Sequence, residues 1–420
     1  MSRKICLSIK AILALGTALT ITSSVASANS HAPKRTSPEQ VIYAFSGGAD
    51  GGDPGSPLIA DQAGNFYGTT SKGGDASCNY GTAPKRPPPP TGCGVLFKLA
   101  PDGTETILHT FGTTSNDGIA PGTLTFDSAG NLYGTTGLGG ANGAGTIFEI
   151  TSGGVYSILY SFDTFSASSN LLLDAEGNFY ATGLYLNGGA CGKAGEGCGN
   201  VFEYTPGGTP TVLYNFTGQP DGAEPEGNIA MDSSGDIYGT TYYGGTGGGE
   251  FGYGTVFELT PDGTESVLYS FPNTEGGAPG LTGVIIDGQG NLYGTTGVGG
   301  LGDGTVFEVA ADGTESTLFE FNGSDGFRPS GRLILDGSGN LYGTTSLGGA
   351  NSNCNGGCGT VFELTSGGAE SVLFSFGRPK RDGWLPQTGV TFDQSGNLYG
   401  TTGDGGISSK GPGLVFKLTP

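Results

Sequence analysis

Hydrophobic residues in this chain come in short runs broken by Gly, Pro, Asn and Asp, and the runs are rich in β-branched and aromatic side chains. Leu124-Thr125-Phe126, Thr146-Ile147-Phe148-Glu149-Ile150 and Ser157-Ile158-Leu159-Tyr160-Ser161-Phe162 are typical. Such runs suit a pleated, half-buried surface and predict strands. No window carries an apolar 3.6 period long enough for a helix.

The runs recur in a fixed order. The phrase Asp-x-x-Gly-Asn-Leu-Tyr-Gly-Thr-Thr appears seven times with small changes, at Asp61, Asp127, Asp174, Asp232, Asp287, Asp336 and Asp393, at intervals averaging about 55 residues. Each unit parses into four strands: a run ending at the aspartate, Asn-Leu-Tyr-Gly-Thr-Thr, Thr-Val-Phe-Glu-Leu and Ser-Val-Leu-Tyr-Ser-Phe. Asp-x-x-Gly-Asn suits a type I turn followed by a left-handed glycine. Between the third and fourth strands lie Pro261-Asp262-Gly263, Gly207-Gly208 or Ala311-Asp312-Gly313, again turn-forming. Every unit is therefore a four-stranded antiparallel meander, the blade of a propeller.

The ends decide between a ring and an open array. The last unit stops at Leu414-Val415-Phe416-Lys417-Leu418-Thr419-Pro420, before its fourth strand, and Val41-Ile42-Tyr43-Ala44-Phe45 is an isolated copy of that missing strand. Pairing the two closes the ring and leaves no dangling edge, whereas an open solenoid would want capping repeats. The expected fold is all-β: a seven-bladed β-propeller of four-stranded antiparallel blades over residues 40–420, closed by the N-terminal strand. Blades bury both faces, so Leu132 and Tyr133 are both read as interior, and the Tyr and Phe columns as packing.

Composition sharpens this picture. Glycine supplies 85 of 420 residues, against an average of roughly 7%. Disordered chains can share that excess, but 23 Phe and 18 Tyr at fixed offsets argue for a folded protein whose glycines serve turns. At the N-terminus, Arg3, Lys4 and Lys10 flank the apolar stretch Ala11–Ile21, which ends in Ala26-Ser27-Ala28. That pattern reads as a cleaved signal peptide over residues 1–28, with 29–39 a short tail. Cys6 precedes the apolar stretch, against a lipid anchor, and no later segment is long enough to cross a membrane. A secreted protein, periplasmic or extracellular, and a monomer is expected. The formal charge of −21 becomes −24 without the three leader cations, 14 Lys and Arg against 38 Asp and Glu. Such a surface repels phosphate backbones and excludes nucleic acid as a partner.

The combined phrases Gly-Asn-Leu-Tyr-Gly-Thr-Thr, Gly-Gly, Gly-Thr-Val-Phe-Glu-Leu-Thr-Pro and Leu-Tyr-Ser-Phe resemble those of the bacterial GloVer-type tandem-repeat proteins, over about residues 40 to 420. The resemblance implies an exported, propeller-like protein, often carried by a variable C-terminal surface anchor; here Pro420 follows the last repeat with no sorting tail. It implies no general activity. The Asp-x-x-Gly-Asn-Leu-Tyr turn is also similar to that of NHL-type propellers, a likeness of structure alone.

Six cysteines remain after the leader and fall in pairs, each within one loop: Cys78 with Cys93, Cys191 with Cys198, Cys354 with Cys358. In an exported chain local disulfides are favoured over metal ligation. His31 and His109 are the only histidines. His31 falls in the tail and His109 replaces a column tyrosine, so a Ser-His-Asp site and a His-built metal site are disfavoured. No catalytic residue and no cofactor is assigned. Ca²⁺ would suit the acidic surface, but the regularly placed aspartates are better explained as turn caps and lack the density of a calcium loop. Carboxylate pairs of the glycosidase type stay open, with nothing in the spacing to select one.

Function is expected on one face. The loop between strands two and three and the crossover to the next blade emerge on the same side, which holds the six cysteines, all the length variation and a repeated Asp-Gly at Asp117, Asp221, Asp325 and Asp382. Departures from the repeat cluster there too: Tyr242, Tyr243, Phe251 and Tyr253; Phe327 and Arg328; and Arg381-Asp382-Gly383-Trp384. Aromatics beside acids and an arginine suit sugar stacking or a protein hot spot. The candidate ligand-binding residues are Trp384, Arg381, Asp382, Asp325, Phe327, Tyr242, Tyr243 and Tyr253. The preferred reading is a non-enzymatic propeller that recognises a glycan or a protein; the alternative is a carboxylate-dependent polysaccharide hydrolase or lyase.

Overall fold

Short strands joined by tight turns leave each blade too thin to bury a core alone, so the blades must pack face to face. The computed structural model describes residues 39–78, 92–185, 197–248, 251–272, 279, 282–351, 353–377, 381–406 and 411–420. The leader, His31, the Lys85–Pro90 insert, Cys191 and Lys380 lie outside the described residues. Seven small antiparallel sheets form a ring, and among the described residues there is no α-helix.

Blade 2 shows the plan: inner strand Gly118–Phe126, second strand Leu132–Gly139, third strand Thr146–Ile150 and outer strand Tyr156–Ser161. In blades 1 and 3 the inner strand is broken in two, and in blade 4 its upper piece, Gly222–Ala223, pairs separately with Tyr243–Gly244. Every pairing of third and outer strands carries one bulge, which adds twist at the rim. The ring closes as the two chain ends predict. Gln40–Ala44 pairs antiparallel with Leu414–Leu418, from Gln40 opposite Lys417 to Ala44 opposite Leu414. Phe66 of blade 1 stacks on Tyr399 of blade 7 with ring centroids 4.1 Å apart.

The core is divided into seven clusters, one for each pair of adjacent blades. Each is centred on two phenylalanines from neighbouring blades: the one ending an outer strand, such as Phe45 or Phe111, meets the one in the next blade's third strand, Phe97 or Phe148. All seven pairs have centroids 5.1–5.6 Å apart, a favourable edge or tilted geometry. The glycine of Gly-Thr-Thr makes room for the ring. A Cβ on Gly134 would lie 2.5 Å from Phe148 Cζ. The second threonine of that phrase is buried and hydrogen-bonds a third-strand threonine, as in Thr136 to Thr146 at 2.9 Å.

Candidate functional site

The two faces of the ring differ in how their loops are held. On one face the turn aspartates are saturated. Asp127 Oδ1 accepts from the main-chain N–H of Ala129 and Asn131, and Oδ2 from Asn131 Nδ2 and the Tyr133 hydroxyl. Burial raises its pKa, but these donors outweigh that and hold it below the usual carboxylate range. The same set recurs at Asp61, Asp287 and Asp336. Carboxylates so occupied have little left to offer a cation. Among the described residues no group of three or more His, Cys, Asp or Glu is placed to hold a metal ion.

The opposite face carries the crossovers and the loops between second and third strands. Its repeated Asp-Gly belongs to a longer phrase, Asp-Gly-x-x-Pro, at Asp50, Asp117, Asp221, Asp325 and Asp382. The fourth residue of each phrase, namely Asp53, Ala120, Glu224, Arg328 and Leu385, has φ between 54° and 58°. These are non-glycine residues in the left-handed region, a strained choice that surrounding contacts must hold. Their N–H groups supply that hold by bonding a carbonyl of the preceding blade: Ala120 to Cys93, Glu224 to Cys198, Leu385 to Cys358, Arg328 to Asp303 and Asp53 to Pro412. The following proline packs on the glycine opening that blade's third strand. A Cβ on Gly359 would meet Pro386 Cδ at 2.5 Å.

The disulfides act on this lock. Cys78–Cys93 and Cys354–Cys358 are formed, and Cys198 is disulfide-bonded. Cys93, Cys198 and Cys358 occupy the same repeat position, the one whose carbonyl receives the interblade bond. The pairing expected for Cys191 lies outside the described residues. Sequence reading missed this role, although the proline of the recurring Asp-Gly-x-x-Pro was visible.

Asp-Gly aspartates are held in the crossovers. Asp117 is buried and takes hydrogen bonds from Gly118 N–H and the Tyr156 hydroxyl, with His109 Nε2 at 3.1 Å. His109 stacks on Tyr156 with centroids 3.6 Å apart. Asp221 accepts from Tyr214, Thr217 and Gly222. Of the two that were singled out as ligand candidates, Asp382 is buried and Asp325 half-buried, the latter accepting from both the N–H and the Nδ2 of Asn322. A glutamate at the start of the next outer strand faces this column. Burial first, with the neighbouring aspartate adding to it, raises Glu105, Glu265 and Glu370 to about 7.

The candidate aromatics form separate stations. Tyr242 and Tyr243 are half-buried with ring centroids 4.7 Å apart, and Phe251 lies 5.9 Å from Tyr243. Burial and the nearby Glu224 and Glu226 carboxylates raise the Tyr243 pKa. Tyr253 is set apart, packed against the core between blades 4 and 5. Phe327 carries the exposed Arg328 guanidinium 5.4 Å from its centroid. Trp384 is half-buried against the core between blades 6 and 7, and its main chain pairs with Asp404. Arg381 is exposed. Asp404 lies close enough to Asp53 that burial and that carboxylate raise its pKa, with Lys72 opposing; Lys72 ion-pairs with Asp53 at 2.9 Å. The structure thus joins Tyr242, Tyr243 and Phe251, and leaves Phe327, Trp384 and Tyr253 in three other places.

In fold the chain is similar to a streptogramin B lyase structure, with a TM-score of 0.58 at 13% identity over 91% of this chain and 97% of that one. It is similar also to a catalytically inactive histidine-to-alanine variant of virginiamycin B lyase from Staphylococcus aureus solved with quinupristin, with a TM-score of 0.57 at 15% identity over 91% and 99%. At such identities the likeness is one of fold. Among curated proteins none matches by sequence. Residues 33–248 and 246–420 match the Gloeobacter/Verrucomicrobia repeat, the group that the recurring phrases resemble. The chain belongs to the Gloeobacter/Verrucomicrobia repeat family.

Proposed function

We infer that this is an exported recognition propeller that holds a glycan on its loop face, without catalysing a reaction. The observation that carries this reading is the group Tyr242, Tyr243 and Phe251 beside Glu224 and Glu226. Aromatic faces stack on sugar rings, and carboxylates accept the hydroxyl hydrogens that specify them. The leader over residues 1–28 and the paired cysteines support an address outside the cytoplasm. The histidine-dependent chemistry of the lyase is not carried over, because His109 is engaged between blades with Asp117 and Tyr156.

A glycan array probed with residues 29–420 in buffered Ca²⁺ tests this. A coherent set of bound glycans is expected, weakened at least tenfold in Tyr243→Ala. Binding that survives both Tyr243→Ala and Trp384→Ala would show the site to be misassigned. A blank array with folded protein would turn the search to a protein ligand. A second reading, polysaccharide hydrolysis, would draw on a carboxylate pair of this face such as Asp53 and Asp404. It requires product release from a polymer that Asp404→Asn abolishes.

A further inference from the structure

Each interblade lock on the loop face takes its acceptor from a weak point of the backbone. The acceptor residues Cys93, Cys198, Asp303, Cys358 and Pro412 all stand in a Gly-x-Gly sequence. The second glycine of each has φ between 89° and 100°. Two flanking glycines give the chain its greatest freedom, so nothing local aims the carbonyl between them. In blade 7 the residue is Pro412, whose ring fixes its own φ. In blade 5 the loop 297–304 is short and closes on itself, with Gly302 N–H and Gly304 N–H both donating to the Gly299 carbonyl. In blades 1, 3 and 6 the residue is a disulfide-bonded cysteine. A cross-link is the restraint that a longer loop needs, because its ordering entropy is larger.

In blade 3 this restraint reaches the aromatic group of the next blade. The Cys198 carbonyl accepts the Glu224 N–H at 2.9 Å, and the Glu224 carbonyl accepts the Tyr242 N–H at 3.0 Å. Two main-chain bonds therefore join the disulfide of blade 3 to Tyr242, and through it to Tyr243 and Phe251. Glu224 is a non-glycine residue at φ 55°, a conformation it keeps only while its contacts hold it. Pro225 closes the same joint: a Cβ on Gly199 would lie 2.4 Å from Pro225 Cδ. The equivalent bonds from Cys93 and Cys358 end on Ala120 and Leu385, in other blades. Cys93 and Cys358 are fully buried, whereas Cys198 is half-buried and partly open to solvent.

We propose that the Cys198 disulfide positions the aromatic group on blade 4, and that a dithiol reductant acting on it loosens that group and weakens its hold on a sugar. The reductant's thiolate attacks one sulfur of the bond and forms a mixed disulfide, which its second thiol then resolves. Two electrons and two protons pass to the protein, which keeps two thiols, and the reductant leaves as a cyclic disulfide. The Gly197-Cys198-Gly199 hinge is then free, the acceptor for Glu224 turns away, and Tyr242 loses its anchor. The effect on a sugar rests on the glycan reading of Tyr242, Tyr243 and Phe251; the effect on the main chain does not.

Hydrogen–deuterium exchange resolved to single amides tests this in the double variant Cys191→Ser, Cys198→Ser. The Glu224 and Tyr242 amides should exchange at least tenfold faster than in wild type. Those of Ala120 and Leu385, held by the other disulfides, and of Asp53 and Arg328 should not change. Replacing Cys198 by proline instead, as blade 7 has at Pro412, should restore slow exchange. On the glycan array the serine variant should bind at least threefold more weakly than wild type. Unchanged exchange at Glu224 and Tyr242, or an equal rise at Ala120 and Leu385, overturns the proposal, as does undiminished array binding. A blank array for wild type with the exchange response intact would instead sink the glycan reading and leave the positioning role standing. Should the serine variant fail to fold, wild type titrated with dithiothreitol decides. A rise in Glu224 exchange in step with alkylation of the Cys198 thiol supports the role, and alkylation without that rise refutes it.

Discussion

At the residue scale, the repeat is held to its pattern by close contacts that tolerate little extra volume. Gly134 illustrates this: a Cβ there would sit 2.5 Å from Phe148 Cζ and 2.9 Å from Leu124 Cδ2. Gly134→Val should therefore destabilise by about 1–3 kcal/mol through overpacking, seen as a lower Tm by calorimetry. An unchanged Tm would mean that the phenylalanine pair yields easily. Blade 3 carries Ala181 at the equivalent place, so one methyl can be fitted when the blade is built around it. The glycine of Gly-Asn-Leu-Tyr-Gly-Thr-Thr was legible as part of a repeat. Its reason was not, because the atom that forbids a side chain comes from the adjoining strand.

Elements meet at acidic seams. The aspartate of a crossover and the glutamate opening an outer strand approach each other at Asp50–Glu105, Asp221–Glu265 and Asp325–Glu370. These glutamates titrate near 7 in the folded protein against an ordinary value of 4.5. The folded state holds protons that the unfolded chain has released, so the stability they contribute is complete below pH 4.5 and is lost as pH rises through about 7. The turn aspartates act in the opposite sense. Their pKa values lie below the ordinary 3.8, and their contribution is lost as pH falls through that lower range. Tm should thus be highest at about pH 4–5 and fall toward pH 8, and Glu105→Gln, Glu265→Gln and Glu370→Gln together should flatten that fall. A Tm that rises steadily from pH 5 to 8 would contradict the seam. Blade 2 replaces the pair with His109, Asp117 and Tyr156, a local departure whose partners could not be named from spacing alone.

The whole molecule depends on its first strand. Gln40–Ala44 completes the last blade, and Phe45 inserts against Phe97 with centroids 5.2 Å apart. Removing residues 29–45 should leave the third strand of blade 7 as an open edge and the cluster between blades 7 and 1 without its phenylalanine. The truncated chain should self-associate on gel filtration and lose a single cooperative melting transition, and a peptide of residues 39–46 should restore both. A truncated monomer with an unchanged melt would refute the closure.

The chain by itself determined the blade, the number of blades and the manner of closure, because these follow from local strand and turn chemistry copied seven times and from counting outer strands. It also placed variation on one face, since loop length is a property of single segments. Tertiary structure alone decided which of the departures meet. Tyr242, Tyr243 and Phe251 come together because one loop folds back on its own blade, whereas Trp384 and Tyr253 pack, half-buried, against the cores between blades. Which side chains share a level of the central channel is likewise decided only when seven inner strands, far apart in sequence, converge on one axis.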